Sequence, residues 1–231
     1  MNNRKLKISE IFFSIQGEGI FIDRPSIFIR TALCNLKCHW CDTPYTWDWE
    51  NYDIKKEVVE VEVDEVLVKI RQWDCKNIVL TGGEPMIQQK ELIALMQKLK
   101  PEGYFFEVET NGTMAILPEF DRLIDQYNCS PKMKNSANAQ ATRETKHFKT
   151  YAQNPKSVFK FVVDREEDLV EIEIFVKKYN IPPSCLLLMP QARTKQELQK
   201  KFGTVSDWAI KKGWGFSTRR HIELWGNRRG V

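Results

Sequence analysis

The chain has 231 residues, 42% hydrophobic and 29% charged, with a net charge of +4. That length excludes a disulfide-stapled mini-domain and suits one α/β domain, residues 1–231, with a core of its own. The mild positive charge fits an anionic small molecule and is too weak and scattered to argue for a nucleic-acid partner. The start, Met1 to Lys7, lacks the apolar run of a signal peptide, and no uninterrupted apolar stretch is long enough to span a bilayer. A cytoplasmic protein with no membrane partner is therefore expected. In that compartment thiols stay reduced, so the six cysteines are not a disulfide framework. Cys75, Cys129 and Cys185 stand far apart and have the character of small buried hydrophobes. The other three crowd into nine residues.

In chain order, Leu6 to Ser14 is an extended apolar segment, followed by the loop Ile15-Gln16-Gly17-Glu18-Gly19. Two glycines flanking a carboxylate let backbone approach a ligand closely, although a plain turn would look the same. Ser26 to Leu33 is a strand that delivers the chain into Cys34. The aromatic patch Tyr45, Trp47, Trp49 and Tyr52 is equally suited to wrapping a planar ligand or to shielding a metal site from water. From Asp64 to Trp73 the spacing of Val66, Leu67, Ile70 and Trp73 is that of one helix face, with Asp64 as N-cap.

A repeating pattern then sets in. Asn77–Leu80 is a buried-type strand ending in Thr81-Gly82-Gly83-Glu84-Pro85, and a helix follows over about 88–99. Tyr104–Val108 is a strand ending in Glu109-Thr110-Asn111-Gly112, with a helix near 119–127 and a short strand into Cys129-Ser130-Pro131-Lys132. Residues 133–156 are polar with little periodicity, which predicts a long irregular excursion. Strand 157–163, helix 166–179, strand 186–188 ending in Met189-Pro190-Gln191, helix 195–212 and a strand-like segment 215–224 complete the chain, before the basic tail Trp225–Val231. Strand–helix alternation repeated about six times predicts a parallel sheet with right-handed crossovers. In such folds ligands bind at the carboxyl ends of the strands, where five of the unusual clusters fall.

The motif Cys34-Asn-Leu-Lys-Cys38-His-Trp-Cys41-Asp42 has C-x₃-C-x₂-C spacing, which suits three corners of a cubane iron–sulfur cluster with one iron left open. A tetrahedral zinc site would need a fourth ligand, and His39, directly after Cys38, is poorly placed to join the same ion. A simple ferredoxin would bring a fourth cysteine, and three unrelated buried cysteines are the plainest alternative.

These residues resemble the 7-carboxy-7-deazaguanine synthase family of radical S-adenosylmethionine enzymes. The resemblance runs from Ile15-Gln-Gly-Glu-Gly19 through Arg30-Thr-Ala, Cys34 to Cys41-Asp42-Thr43, Thr81-Gly-Gly-Glu84, Glu109-Thr-Asn-Gly112 and Ser130-Pro-Lys132 to Trp225-Gly-Asn-Arg-Arg-Gly-Val231. It implies a partial, incomplete parallel β/α barrel of about six strands. It also implies a lyase of queuosine precursor (7-deazapurine) biosynthesis that contracts 6-carboxy-5,6,7,8-tetrahydropterin to 7-carboxy-7-deazaguanine with loss of ammonia. The implied cofactors are a [4Fe-4S] cluster, S-adenosyl-L-methionine and Mg²⁺. A reduced cluster would pass an electron to the sulfonium, and the resulting 5′-deoxyadenosyl radical would take hydrogen from the pterin.

By position, the resemblance implies that Cys34, Cys38 and Cys41 hold the cluster. Trp40, Asp42, Gly83, Glu84, Ser130, Pro131, Lys132, Met189, Pro190 and Gln191 would line the nucleotide site, Glu84 facing its amine. Ile15, Gln16, Gly17, Glu18, Arg30, Thr81, Glu109 and the C-terminal carboxylate of Val231 would contact the pterin, with Arg30 pairing a carboxylate and Thr43 ligating Mg²⁺. The tail arginines, Arg228 and Arg229, have the look of a solvated charge run. A one-electron reductant such as a flavodoxin and a homodimeric assembly are also expected. The competing functions are a glycyl-radical-enzyme activating enzyme, which shares the cysteine spacing, and a zinc-stabilised RNA-binding module using Trp47, Trp49 and the tail.

Overall fold

A computed structural model describes residues 4–231, the side chain of Arg143 excepted. The polar start at Met1 to Lys7 therefore lies in part outside the described residues. Among the described residues one sheet has nine strands: β1 (Lys5–Ile15), β2 (Pro25–Thr31), β3 (Val59–Glu62), β4 (Asn77–Gly82), β5 (Phe105–Thr110), β6 (Gln126–Cys129), β7 (Ser157–Val163), β8 (Leu186–Pro190) and β9 (Gly215–Phe216). Their order is β3-β1-β2-β4-β5-β6-β7-β8-β9. From β2 to β9 every neighbouring pair is parallel, whereas β1 is antiparallel to both β2 and β3. The parallel, incomplete barrel is the fold expected; the antiparallel β3–β1 edge adds to it.

Side-chain alternation sorts the sheet into two faces. Ile27 and Ile29, Ile78 and Leu80, Phe106 and Val108, Phe159, Phe161 and Val163, and Leu186 and Leu188 all belong to one large apolar core. So do the inward rows of α2 (Val63–Ile70), α3 (Gln89–Leu99), α7 (Asp168–Tyr179) and α8 (Lys195–Lys212). Each fully buried side chain of this kind contributes about 1.5–3 kcal/mol relative to exposure. Residues of the opposite parity, including Arg30, Thr81, Glu107, Glu109, Asn128 and Lys160, are therefore left for the other, inner face. There Phe12, Phe28 and Val79 form a small apolar cluster, in which the two phenylalanine rings stack at 5.0 Å.

Several boundaries differ from expectation. The second helix is capped by Glu62 rather than Asp64, with the Glu62 N–H held by Glu65 at 3.0 Å, because β3 runs directly into α2. Asp64 instead sits in the first turn, where its charge still complements the helix dipole. The predicted helix near 119–127 is α4 (Pro118–Leu123), and Gln126–Cys129 is strand β6. The polar stretch 133–156 is not wholly irregular. It contains α5 (Ala139–Glu144) and α6 (Phe148–Gln153), the latter burying Phe148 and Tyr151 completely. The strand-like segment 215–224 keeps only two strand residues, after which α9 (Arg220–Trp225) forms. The remaining short helix, α1, spans Ile54–Glu57. Among the described residues no helix is long and apolar enough to cross a membrane.

Candidate active site

The cluster loop leaves the carboxyl end of β2, and its entry is fixed by close backbone packing against the end of β4. Gly82 has φ +123°, and a Cβ there would collide with the Thr31 backbone; one on Gly83 would collide with the Leu33 carbonyl. With no side chain in the way, Gly83 N–H donates to Thr31 O at 3.0 Å and Glu84 N–H to Leu33 O at 2.8 Å. Leu33 itself takes φ +75° just before Cys34. All six cysteines are free, and Cys34, Cys38 and Cys41 border one cavity. Burial pushes the Cys34 thiol up to about 12 and the Cys38 thiol to about 11, so loading a metal group there would release protons.

Among the described residues no three His, Cys, Asp or Glu side chains converge on a single ion position. A cubane places each thiolate on a different iron, so thiols spread around a cavity fit it where one zinc would not be held. Three protein ligands of this kind would leave the fourth iron for an exogenous chelator.

Opposite the cluster loop lies the loop after β1. Because β1 is antiparallel to β2, this loop enters from the other end of the sheet and folds over the inner face. Gln16 Nε2 donates to Glu107 Oε1 at 2.6 Å, and Asn128 Nδ2 donates to the same oxygen. Burial, and secondly Glu109, pushes Glu107 up to about 8. Thr81 Oγ1 donates to Glu109 Oε2 at 2.7 Å. Thr81 and Arg30 are register partners on adjacent strands, and Arg30 Nε donates to Glu10 at 2.7 Å. The terminal nitrogens of Arg30 make no hydrogen bond among the described residues, and Arg30 borders the cavity.

Arg219, just beyond β9, links the two loops. Its Nε donates to Glu18 Oε1 at 2.8 Å, Nη2 pairs with Asp42, and Nη1 donates to Ala192 O. Lys160 pairs with the second Glu18 oxygen. The side chains of Lys160, Arg219 and Glu18 are 5%, 10% and 12% exposed, so these charges act with little screening by water. Burial alone would raise Glu18, but Lys160 and Arg219 outweigh it and hold the carboxyl well below its usual range. Asp42 is lowered in the same way, against burial, chiefly by Arg219. His221 lies 4.0 Å from Glu18 and is lowered by burial and then by Arg219.

Of the residues expected to hold the cluster, nucleotide, pterin or Mg²⁺, all but two border this one cavity: Ile15, Gln16, Gly17, Glu18, Arg30, Cys34, Cys38, Trp40, Cys41, Asp42, Thr43, Thr81, Gly83, Glu109, Ser130, Lys132, Met189, Pro190, Gln191 and Val231. Pro131 is buried outside it. Glu84 is fully buried behind the wall and accepts from Met86 N–H, Thr110 Oγ1 and Asn111 N–H at 3.1, 2.7 and 2.7 Å. It braces the Asn111 turn, whose Nδ2 donates to Asn35 of the cluster loop at 2.9 Å. Lys132 donates to Ser130 at 2.8 Å and lies over the Trp40 ring. The tail is not wholly a solvated charge run. Arg229 stacks 3.6 Å above Tyr45 and pairs with Glu10 at 3.2 Å and Glu57 at 2.7 Å, because its flat guanidinium matches both ring and carboxylates.

Lys160, Arg219 and His221 also border the cavity and were missed. The available signals were a lone charge inside the apolar strand Val158–Val163, and a basic run directly after a strand end.

The Radical SAM superfamily model matches residues 28–161. The 7-carboxy-7-deazaguanine synthase of Pyrobaculum aerophilum is 39% identical over 98% of this chain and 97% of that one. The protein of the same name from Rhodopirellula baltica is 33% identical over 98% of this chain and 89% of its own. The crystal structure of QueE from Escherichia coli superposes with a TM-score of 0.67 at 23% identity, covering 94% of this chain and 95% of that one. The chain belongs to the 7-carboxy-7-deazaguanine synthase family within the radical SAM superfamily.

Proposed function

We infer that this chain is a 7-carboxy-7-deazaguanine synthase, a radical S-adenosylmethionine lyase of queuosine precursor biosynthesis. The observation that carries the reading is a single cavity with three free cysteines at one wall and Gln16, Glu18, Arg30 and Glu109 at the other. When bound, the cluster and nucleotide supply the electron and the hydrogen abstraction; the chain's own residues bind, orient and exclude water.

Cys34, Cys38 and Cys41 hold the cluster. Trp40, Asp42, Gly83, Ser130, Lys132 and Met189 to Gln191 form the nucleotide wall, with Glu84 and Pro131 supporting it from behind. The substrate is 6-carboxy-5,6,7,8-tetrahydropterin. Its carboxylate pairs with the uncommitted nitrogens of Arg30, which Glu10 and the Phe12 ring hold in place. Gln16, the Gly17–Glu18 backbone, Thr81 and Glu109 read the ring's polar edge, and the Val231 end of the tail closes the cavity. Thr43, whose hydroxyl lies 3.7 Å from Cys41 Sγ, would supply a hard oxygen ligand for Mg²⁺ beside the substrate site. The electron comes from a one-electron reductant such as a flavodoxin, and the working assembly is a homodimer.

The test is anaerobic incubation of iron–sulfur-reconstituted protein with S-adenosylmethionine, reductant, Mg²⁺ and the carboxypterin. Formation of 7-carboxy-7-deazaguanine is expected. Nucleotide cleavage without that product would keep the superfamily chemistry and refute the substrate.

A further inference from the structure

Each cysteine of the cluster loop has an N–H donor at the same distance from its sulfur. Leu36 N–H lies 3.4 Å from Cys34 Sγ, Asn138 Nδ2 lies 3.4 Å from Cys38 Sγ, and the Trp47 indole Nε1 lies 3.4 Å from Cys41 Sγ. The sulfur atoms stand for the thiolates of a loaded cluster. The first donor is backbone and belongs to the loop. The other two are side chains from separate segments: a 3-10 turn after the motif, and the 133–156 excursion.

The Trp47 backbone and the Asn138 side chain are each held in place by contacts unrelated to the cysteines. Trp47 follows the turn Pro44–Thr46, its backbone N–H donating to Pro44 O at 3.0 Å. The amide of Asn138 accepts from Lys37 N–H at 3.2 Å through Oδ1 and donates to Ser136 O at 2.9 Å through Nδ2. Turning that amide over would set its oxygen against the Ser136 carbonyl and the Cys38 sulfur, and its NH₂ against the Lys37 N–H. The network thus fixes the donor toward sulfur.

We propose that Trp47 and Asn138 tune the reduction equilibrium of the cluster by donating hydrogen bonds to the Cys41 and Cys38 sulfurs. Reduction adds one negative charge, delocalised in part onto the thiolates. An N–H dipole aimed at sulfur in a poorly hydrated site stabilises the reduced form more than the oxidised form. The two residues act through the cysteines and are positioning residues. The proposal rests on the cluster reading above.

The experiment uses full-length protein reconstituted with iron and sulfide, without S-adenosylmethionine. Iron and sulfide are counted, and the midpoint potential is followed by the EPR signal of the reduced cluster. Trp47→Phe keeps an aromatic ring and removes the N–H; Asn138→Leu keeps the branched shape and removes the amide. Each is expected to load fully and to shift the equilibrium about tenfold toward the oxidised form, a potential lower by about 59 mV for one electron. Trp49→Phe, whose indole donates to no cysteine sulfur among the described residues, should leave the potential unchanged. Fully loaded variants with the wild-type potential would overturn the proposal. So would variants that cannot load beside a wild type that does, since that marks a structural role. A wild type that takes up no iron and sulfide would instead refute the cluster reading itself.

Discussion

Replacing Arg219 with Met removes the charge that joins the cluster loop to the Gln16–Glu18 loop while keeping a long apolar stem. Three acceptors lose a partner: Glu18, Asp42 and the Ala192 carbonyl. Breaking a buried ion pair from one side costs about 3–5 kcal/mol. Glu18 retains Lys160, and Asp42 keeps 31% of its side-chain surface exposed, so the lower end, about 3 kcal/mol, is expected. Asp42→Asn alone should cost about 1–2 kcal/mol. In the double variant no unpaired carboxylate remains at position 42, so its cost should fall short of the sum by about 1–2 kcal/mol. Urea unfolding followed by circular dichroism reads this as a midpoint shift of roughly 1 M for Arg219→Met. The pH dependence supplies a second check. Glu18 and Asp42 are lowered in the folded state, so their stabilisation is present above the ordinary carboxylate value and is lost as pH falls through the lowered values. The deficit of Arg219→Met should therefore be largest near neutrality and shrink in acid. A cost below about 1 kcal/mol, or strict additivity with Asp42→Asn, would refute the bridge.

Arg229→Ala removes the stack on Tyr45 and the pairs to Glu10 and Glu57, together worth about 1–2 kcal/mol at this half-exposed site. The KM for the carboxypterin should rise about 5–30-fold with iron content unchanged; an unchanged KM would detach the tail from substrate binding. Glu107 is raised to about 8, so its burial favours the protonated form. The unfolded chain ionises first, and stability attributable to this group declines as pH rises from the ordinary carboxylate value through about 8. Glu107→Gln should flatten that decline in urea titrations over the same window, and parallel profiles would contradict it. Thr43→Val should leave iron and sulfide content intact while weakening the Mg²⁺ dependence of turnover, and an unaltered Mg²⁺ response would remove Thr43 from that role.

Most strands were legible because each is a short apolar run closed by glycine, proline or a polar cluster, as in Asn77–Gly82, whereas β3, Val-Glu-Val-Glu at an exposed edge, gives no such signal and was missed. The lining residues were legible wherever such a cluster ends a strand. Arg219 was hidden because alternation continues past Phe216 into Ile222 and Leu224, which disguises the strand end before it and the short helix after it. Lys160 was hidden inside a strand buried at every position; its charge is tolerated only because Glu18, 142 residues away in sequence, meets it. No local pattern reports such a pairing. The N-cap at Glu62 was missed for a related reason: a helix entered straight from a paired strand starts where the sheet releases it.

The bare glycines at positions 82 and 83 bear on how the enzyme matures. Through them the end of β4 grips the backbone on both sides of Ala32 by main-chain hydrogen bonds, which owe nothing to iron. The backbone that leads into the first cysteine is thus set by main-chain contacts alone, so cluster assembly would begin from a Cys34 already held in position.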